Sequence, residues 1–297
     1  MVYGTHAARG IGRTVMAARL RNAPGYSYFV GSAVFHYLGP AFAVLLFARV
    51  PPTGVAWLRI VTAAAVYAVW RRPLRRLRDA DRATQRTVVG MGLVLAAMNP
   101  CFYVAIDRLP LGTVAAIEFL PVIGLAALGV RSPRNGVALA VAATGVYLLT
   151  EVRITGEPLG FVFAFANAGL FALYIVLAHR ISRSAQISGL DGLAAAMLIA
   201  AVAVTPIGLP AVVPQLLDPV VIAAGLGVAV TSSVIPYVCD QLAMARMPRA
   251  TYALFVSLLP ATATVVGIVV LAQVPSALEA AGVALVVGAV AVHQEAR

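Results

Sequence analysis

The sequence predicts an all-α membrane protein: ten transmembrane helices in two inverted five-helix repeats. Three observations carry this expectation. First, 61% of the 297 residues are apolar and only 11% are charged, with a mean hydropathy of +0.93. Soluble domains carry roughly 25% charged residues, and so few charges could not cover a soluble surface without large exposed apolar patches. Second, apolar runs of roughly 20 residues, the length that crosses a bilayer, recur between clusters of arginine. Third, the two halves of the chain share a pattern of prolines and arginines. The runs lack the apolar/polar alternation of a strand barrel.

Taken in order, residues 1–26 form an Arg-rich, acid-free tail with Arg9, Arg13, Arg19 and Arg21. It reads as a cytoplasmic segment, with an organellar transit peptide or a later start at Met16 as alternatives. The expected spans follow at about 27–48, 54–70, 87–106, 110–130, 134–150, 158–178, 191–210, 219–245, 250–272 and 276–293. The second is short. The eighth is long and contains Pro236, where a kink is expected because proline supplies no N–H and clashes with the preceding turn.

Every basic residue is Arg, and the net charge is +11. Such a balance can indicate a nucleic-acid binder, but that needs arginines on a soluble face. Here they lie between apolar runs, which excludes nucleic acid as a partner. With ten spans and the N-terminus inside, the clusters at 9–21, 71–86, 131–134, 180–183 and 246–249 and Arg297 are all cytoplasmic. Arg49, Arg108 and Arg153 lie outside, and Arg59 lies within a span. That asymmetry follows the positive-inside rule and places both termini in the cytoplasm of a multi-pass cell-membrane protein.

The repeat divides the chain into 27–150 and 158–293. Asn99-Pro100, Arg108-Leu109-Pro110, Thr113 and Pro121 match Ile235-Pro236, Arg246-Met247-Pro248, Thr251 and Pro260. The paired prolines are 136, 138 and 139 residues apart. Five spans per half is odd, so the second half enters the membrane inverted. Inverted repeats characterise transporters, with substrate held near the midplane between them.

Glu118 is the most informative residue, lying about eight residues into the fourth span. A carboxylate at that depth costs several kcal/mol unless paired, hydrated or protonated, and marks a functional site by default. It could hold a proton and a substrate ammonium in turn, or be a structural partner of Arg59. Arg59 could snorkel outward, pair with Glu118 or hold a substrate carboxylate. Asn99 and Tyr103, four apart, share a helix face. Tyr237 and Gln241 repeat that spacing on the eighth span, beside the second deep acid, Asp240. These polar groups read as a central lining or as interhelical glue. Thr231-Ser232-Ser233 is expected to satisfy backbone freed by Pro236. Tyr174 and Phe171 line the cavity or simply pack. His36 is a candidate proton relay, and His179 a loop residue.

No phosphate loop, zinc-protease motif or nucleophile elbow occurs, and no loop exceeds about 16 residues. The chain is therefore not read as an enzyme, and no cofactor or metal is expected. Cys101 and Cys239 have no metal or paired-thiol spacing.

The stretch from Asn99 to Gly112 followed by Ile117-Glu118-Phe119, together with Val55-Ala56-Trp57-Leu58-Arg59, Ser233-Val234-Ile235-Pro236-Tyr237, Asp240 and Arg246-Met247-Pro248, resembles the EamA branch of the drug/metabolite transporters. It is most similar to the threonine/homoserine exporter group. The resemblance spans about 27–293. It implies ten helices in inverted repeats and proton-linked efflux of small metabolites, with the family's buried glutamate at Glu118, its arginine at Arg59 and its eighth-span acid at Asp240. Three positions depart from the pattern. Leu259 stands where a Glu often precedes Pro260, Ala272-Gln273 replaces a common Gly-Glu, and Tyr37 replaces a first-span Gln.

The sequence thus points to a proton antiporter exporting small amino acids or related metabolites, with Glu118, Arg59, Asn99, Tyr103, Tyr174, Tyr237, Asp240 and Gln241 on the pathway. Its partners are a small-molecule substrate, protons and the lipid bilayer, and homodimer formation is left open. The alternatives are efflux of cationic drugs, uptake of a small nutrient, or, in another class, a membrane enzyme or signalling protein.

Overall fold

The computed structural model describes residues 25–71, 73–129, 133–151, 157–236, 239, 243 and 259–292. Among the described residues every regular element is helical: α1 (Gly25–Leu46), α2 (Pro52–Arg71), α3 (Pro73–Asp79), α4 (Arg82–Arg108), α5 (Leu111–Gly129), α6 (Pro133–Glu151), α7 (Pro158–Ser182), α8 (Gly189–Val212), α9 (Pro219–Ala229), α10 (Leu259–Leu271) and α11 (Ala277–Val292). A 3-10 turn, Val213–Gln215, extends α8, and a turn of π-helix, Val230–Val234, extends α9. α1, α2, α4, α7 and α8 with its extension are long and apolar enough to cross a membrane, and α5, α6, α9, α10 and α11 carry shorter apolar stretches. The second run, which reads as short, is a helix of 20 residues. The irregularity expected at Pro236 begins earlier, at Val230.

Local chemistry explains the helix starts. Asp81 caps α4 by accepting from the Thr84 N–H at 2.7 Å. Ser188 caps α8 and Asp218 caps α9, whose first residue is Pro219. Both arrangements satisfy N–H groups that a helix cannot pair internally, and proline fits the first helical position because its missing N–H would be unpaired anyway. α11 begins with a reciprocal capping box. The Glu279 carboxylate accepts from the Ser276 N–H at 2.8 Å, and the Ser276 hydroxyl accepts from the Glu279 N–H at 3.2 Å.

α5 is central, packing on α6, α7, α10 and α11. Val114, Ala115, Ala116 and Ile117 are fully buried. α4 packs on α7 and α8, α2 on α8 and α9, and α1 on α9, the π turn and α10. Glycines permit the close crossings. A Cβ at Gly145 would meet the Gly282 carbonyl at 2.7 Å, which brings α6 and α11 together, and a Cβ at Gly39 would collide with Ser232 of the π turn.

The two ends of the bundle differ. At one end, Arg49 pairs with Asp218 and Arg108 with Glu157. A cleft of about 200 Å3 opens there between Val44, Asp107, Arg108 and Gln273. At the other end, the fully buried Asp191 of α8 binds Arg71 at 2.8 Å and Arg76 at 2.6 Å, and the Gln186 side-chain carbonyl accepts from the Asp81 N–H at 2.6 Å.

Candidate functional site

Glu118 lies in the buried stretch of α5 and is 8% exposed. α5 is apolar on all sides, so its neighbours there offer the carboxylate little. The partner comes from α7: the Asn167 amide donates from Nδ2 to Glu118 Oε1 at 3.1 Å. Asn167 is completely buried, and its Oδ1 has no hydrogen-bond partner. Aromatic side chains run beside this contact. Phe119 meets Phe171 with ring centroids 6.4 Å apart, and Phe171 stacks on Tyr174 at 6.2 Å. Asn167, Phe171 and Tyr174 fall on one face of α7 through their four- and three-residue spacing.

Arg59 of α2 turns to the π turn. Nε donates to Ser233 Oγ at 3.1 Å, Nη2 to the Ser232 carbonyl at 3.3 Å and Nη1 to the Tyr103 hydroxyl at 3.4 Å. Its guanidinium carbon also lies 5.7 Å from the Tyr103 ring centroid. The Tyr67 hydroxyl donates to the Ser233 carbonyl at 3.1 Å. A π turn leaves its helix's regular bonding pattern, and such turns occur frequently at functional sites. Here two side chains of α2 take the carbonyls it presents. Among the described residues no ion pair joins Arg59 to Glu118. The structure therefore replaces both the outward snorkel and the direct Arg59–Glu118 pair with a guanidinium anchored to the π turn that extends α9.

The other expected residues divide. Tyr103 joins the site through Arg59 and is fully buried. Asn99 does not: its amide donates to the Leu95 carbonyl of its own helix at 2.9 Å, one turn back, beside Pro100, which breaks the backbone pattern there. Tyr174 reaches the site through Phe171. Tyr237, Asp240 and Gln241 lie outside the described residues. Of the three polar residues before Pro236, Thr231 donates to the Gly227 carbonyl at 2.7 Å, well before the turn that Pro236 frees, and the Ser232 carbonyl one turn before Pro236 is taken by Arg59. Ser233 accepts from Arg59 instead, and Ser232 Oγ is buried without a partner. His36 packs edge-on against Tyr37 at 5.3 Å. Tyr37 is 1% exposed, and its hydroxyl has no partner.

Asn167 and Tyr37 are the functional candidates that sequence reasoning passed over. The signal for Asn167 was an amide in the middle of a 25-residue apolar helix, one turn before Phe171. For Tyr37 it was the departure from a polar first-span residue. Gln273, the other departure, has a visible role, because its Oε1 accepts from the Leu111 N–H at 3.1 Å and so caps α5 from the end of α10.

Comparison with known proteins gives a consistent result. The EamA-like transporter family matches residues 158–293. The threonine/homoserine exporter RhtA of Salmonella typhimurium is 28% identical over 258 residues, which is 84% of either chain. That of Escherichia coli K12 is 30% identical over 242 residues, 79% of either chain. A solved crystal structure of a protein shares the fold at a TM-score of 0.56 and 22% identity, covering 91% of this chain and 96% of that one.

Proposed function

The chain belongs to the EamA-like transporter family and is a multi-pass membrane transporter of small molecules rather than an enzyme, and from that premise we propose that it exports small amino acids of the threonine/homoserine type across the cell membrane in exchange for protons. The observation that carries this reading is Glu118: a carboxylate buried in a central apolar helix, held by one amide and not neutralised by an ion pair among the described residues. Such a group holds a proton or a substrate ammonium in turn, and exchange follows because it cannot hold both. Arg59, anchored on the π turn through Ser233 and Ser232, supplies positive charge for the substrate carboxylate. Tyr103 and Tyr174, with Tyr237, Asp240 and Gln241, complete the pathway, and a homodimer is compatible with it.

The same reading takes 27–150 and 158–293 as inverted five-helix repeats, with 1–26 as a tail and both termini cytoplasmic. The packing supports this. If α1, α2, α4, α5 and α6 exchange places with α7, α8, α9, α10 and α11, the contact of α1 with α9 becomes that of α7 with α4. The contact of α1 with α10 becomes that of α7 with α5, and that of α2 with α9 becomes that of α8 with α4. The pairs α2–α8, α5–α10 and α6–α11 map onto themselves. Rocking of one repeat against the other would then alternate access to Glu118.

The direct test is threonine uptake into everted membrane vesicles driven by an acid interior. The wild type should accumulate threonine and Glu118→Gln should not; a Gln variant that accumulates it normally removes Glu118 from coupling. The aromatic run Phe119–Phe171–Tyr174 beside Glu118 favours one second reading, efflux of aromatic or cationic drugs, since cations are drawn to ring faces. A drug-resistance screen run beside the amino-acid efflux assay separates the two.

A further inference from the structure

We propose that the cleft at the end of α4 is a second binding site for a zwitterionic α-amino acid, which it holds by both charges on the outer side of the central site. This site rests on the amino-acid-export reading and adds a station which that reading does not contain. The cleft has a volume of about 200 Å3, and Val44, Asp107, Arg108, Gln273, Val274 and Pro275 are among the residues that line it. A cavity of roughly 150 Å3 holds benzene, so a compact amino acid has room. Three parts of the fold meet here. α1 supplies Val44, the end of α4 supplies Asp107 and Arg108, and the segment between α10 and α11 supplies Gln273, Val274 and Pro275. Pro110, which also lines the cleft, immediately precedes α5. From the start of α5 at Leu111, Glu118 is two turns further along the helix, about 10 Å at roughly 1.5 Å per residue. The cleft is thus separate from Glu118 but on the same helix, at the end that the proposed orientation places outside.

The charges of the cleft select its ligand. Asp107 makes no ion pair among the described residues, and Arg108 is held only by Glu157, at 3.5 Å with both side chains accessible to solvent. A simple cation is drawn to Asp107 and opposed by Arg108, and a simple anion the reverse. An α-amino acid satisfies both: its ammonium donates to the Asp107 carboxylate, and its carboxylate accepts from the Arg108 guanidinium in charge-assisted hydrogen bonds. Gln273 adds a neutral donor. Its Oε1 accepts from the Leu111 N–H at 3.1 Å, which leaves its Nε2 for a ligand oxygen. Glu157 competes with the ligand carboxylate for Arg108. An exposed pair of this kind is weak, so it yields to a ligand that fills the cleft.

The test is protection of a thiol placed in the cleft. Val274→Cys, in the full chain without Cys101 and Cys239, is labelled on intact cells with a maleimide that does not cross membranes. L-Threonine at about ten times its half-protecting concentration should slow labelling about tenfold, by mass action. L-Threoninamide and N-acetyl-L-threonine, which each lack one of the two charges, should not protect. Protection should persist when Glu118→Gln is added and disappear when Asp107→Asn and Arg108→Gln are added together. Glu157→Gln should lower the half-protecting concentration about two- to fivefold, the scale of one exposed ion pair. That gain in affinity is not what loss of a merely structural contact produces. The second site is overturned by no labelling from outside, by no protection, by equal protection from threoninamide, or by protection that Glu118→Gln abolishes, which would mean that the thiol reports movement driven from the central site. Threonine counterflow by the wild type in liposomes checks the reading beneath it: counterflow without protection removes the second site and leaves the transport reading intact, and absence of counterflow overturns the transport reading as well.

Discussion

Arg59 illustrates how one side chain can tie two helices through geometry rather than charge. Its Nε, Nη1 and Nη2 each reach a different acceptor, Ser233 Oγ, Tyr103 and the Ser232 carbonyl. A lysine keeps the charge, but its single ammonium cannot span these three positions, so the exchange is not conservative at such a site. Arg59→Lys should reduce threonine counterflow by more than tenfold while leaving membrane insertion unchanged, as read by the amount of protein recovered from membranes. Ala272 makes a second point at the same scale. It has φ of 52°, where an L side chain crowds the following carbonyl. Ala272→Gly should stabilise the protein by about 1 kcal/mol, seen as a raised unfolding temperature in detergent. Glu118 was legible in the sequence because a lone acid inside an apolar run has few explanations. Asn167 was not, because an uncharged amide in a helix is usually interhelical glue, and only the placement of α7 against α5 shows which atom it serves.

Helix starts were written locally, and helix interruptions were not. Asp81, Ser188, Asp218 and Ser276 each stand before an apolar run and each caps it. The π turn depends on what packs against it: Arg59 and Tyr67 take carbonyls of Ser232 and Ser233, and Gly39 lets α1 approach. No local pattern around Thr231 encodes those distant partners. Two predictions belong to these termini. The Thr84 N–H holds the Asp81 carboxyl below the ordinary carboxylate range. A lowered folded value means its contribution is present above about pH 4 and is lost as pH falls through that lowered value. Asp81→Asn should therefore flatten the acid limb of stability against pH, measured by thermal unfolding across the acid range. At the start of α8, Asp191 is fully buried and binds two arginines, each partly exposed. Losing Arg71 or Arg76 alone leaves the other guanidinium on the carboxylate. Losing both strands a buried charge, which costs about 3–5 kcal/mol. The double alanine variant should therefore be destabilised by more than the two single variants together.

At the scale of the whole molecule, the proposed repeat has a counterpart in chemistry at opposite ends. Asp81 caps α4 and Asp218 caps α9, and they stand 137 residues apart. Gln186 touches Asp81 at one end and Arg49 touches Asp218 at the other, and these partners are also 137 residues apart. The prolines, which shape backbone, carry the repeat expected from the sequence, and these corners do not stand out there. Each residue is unremarkable alone, and the two corners do not use the same bond: one is an ion pair at 3.1 Å, the other an amide carbonyl on a backbone N–H. The corner joining Arg49 to Asp218 is thus held by charge, and the corner joining Asp81 to Gln186 by a neutral contact, beside the separate ion pairs of Asp191 with Arg71 and Arg76. In a transporter whose halves rock about a central site, such corners set which side opens more readily. Gln186→Arg would give the second corner the ion pair of the first. An exposed pair contributes up to about 1 kcal/mol, which shifts a two-state balance by as much as about fivefold. Closure at the Gln186 end should be favoured by that factor. A cysteine introduced at Ser232, in a background without Cys101 and Cys239, should then react correspondingly more slowly with a thiol reagent supplied from that side. The shift should vanish at high salt, where the new pair is screened.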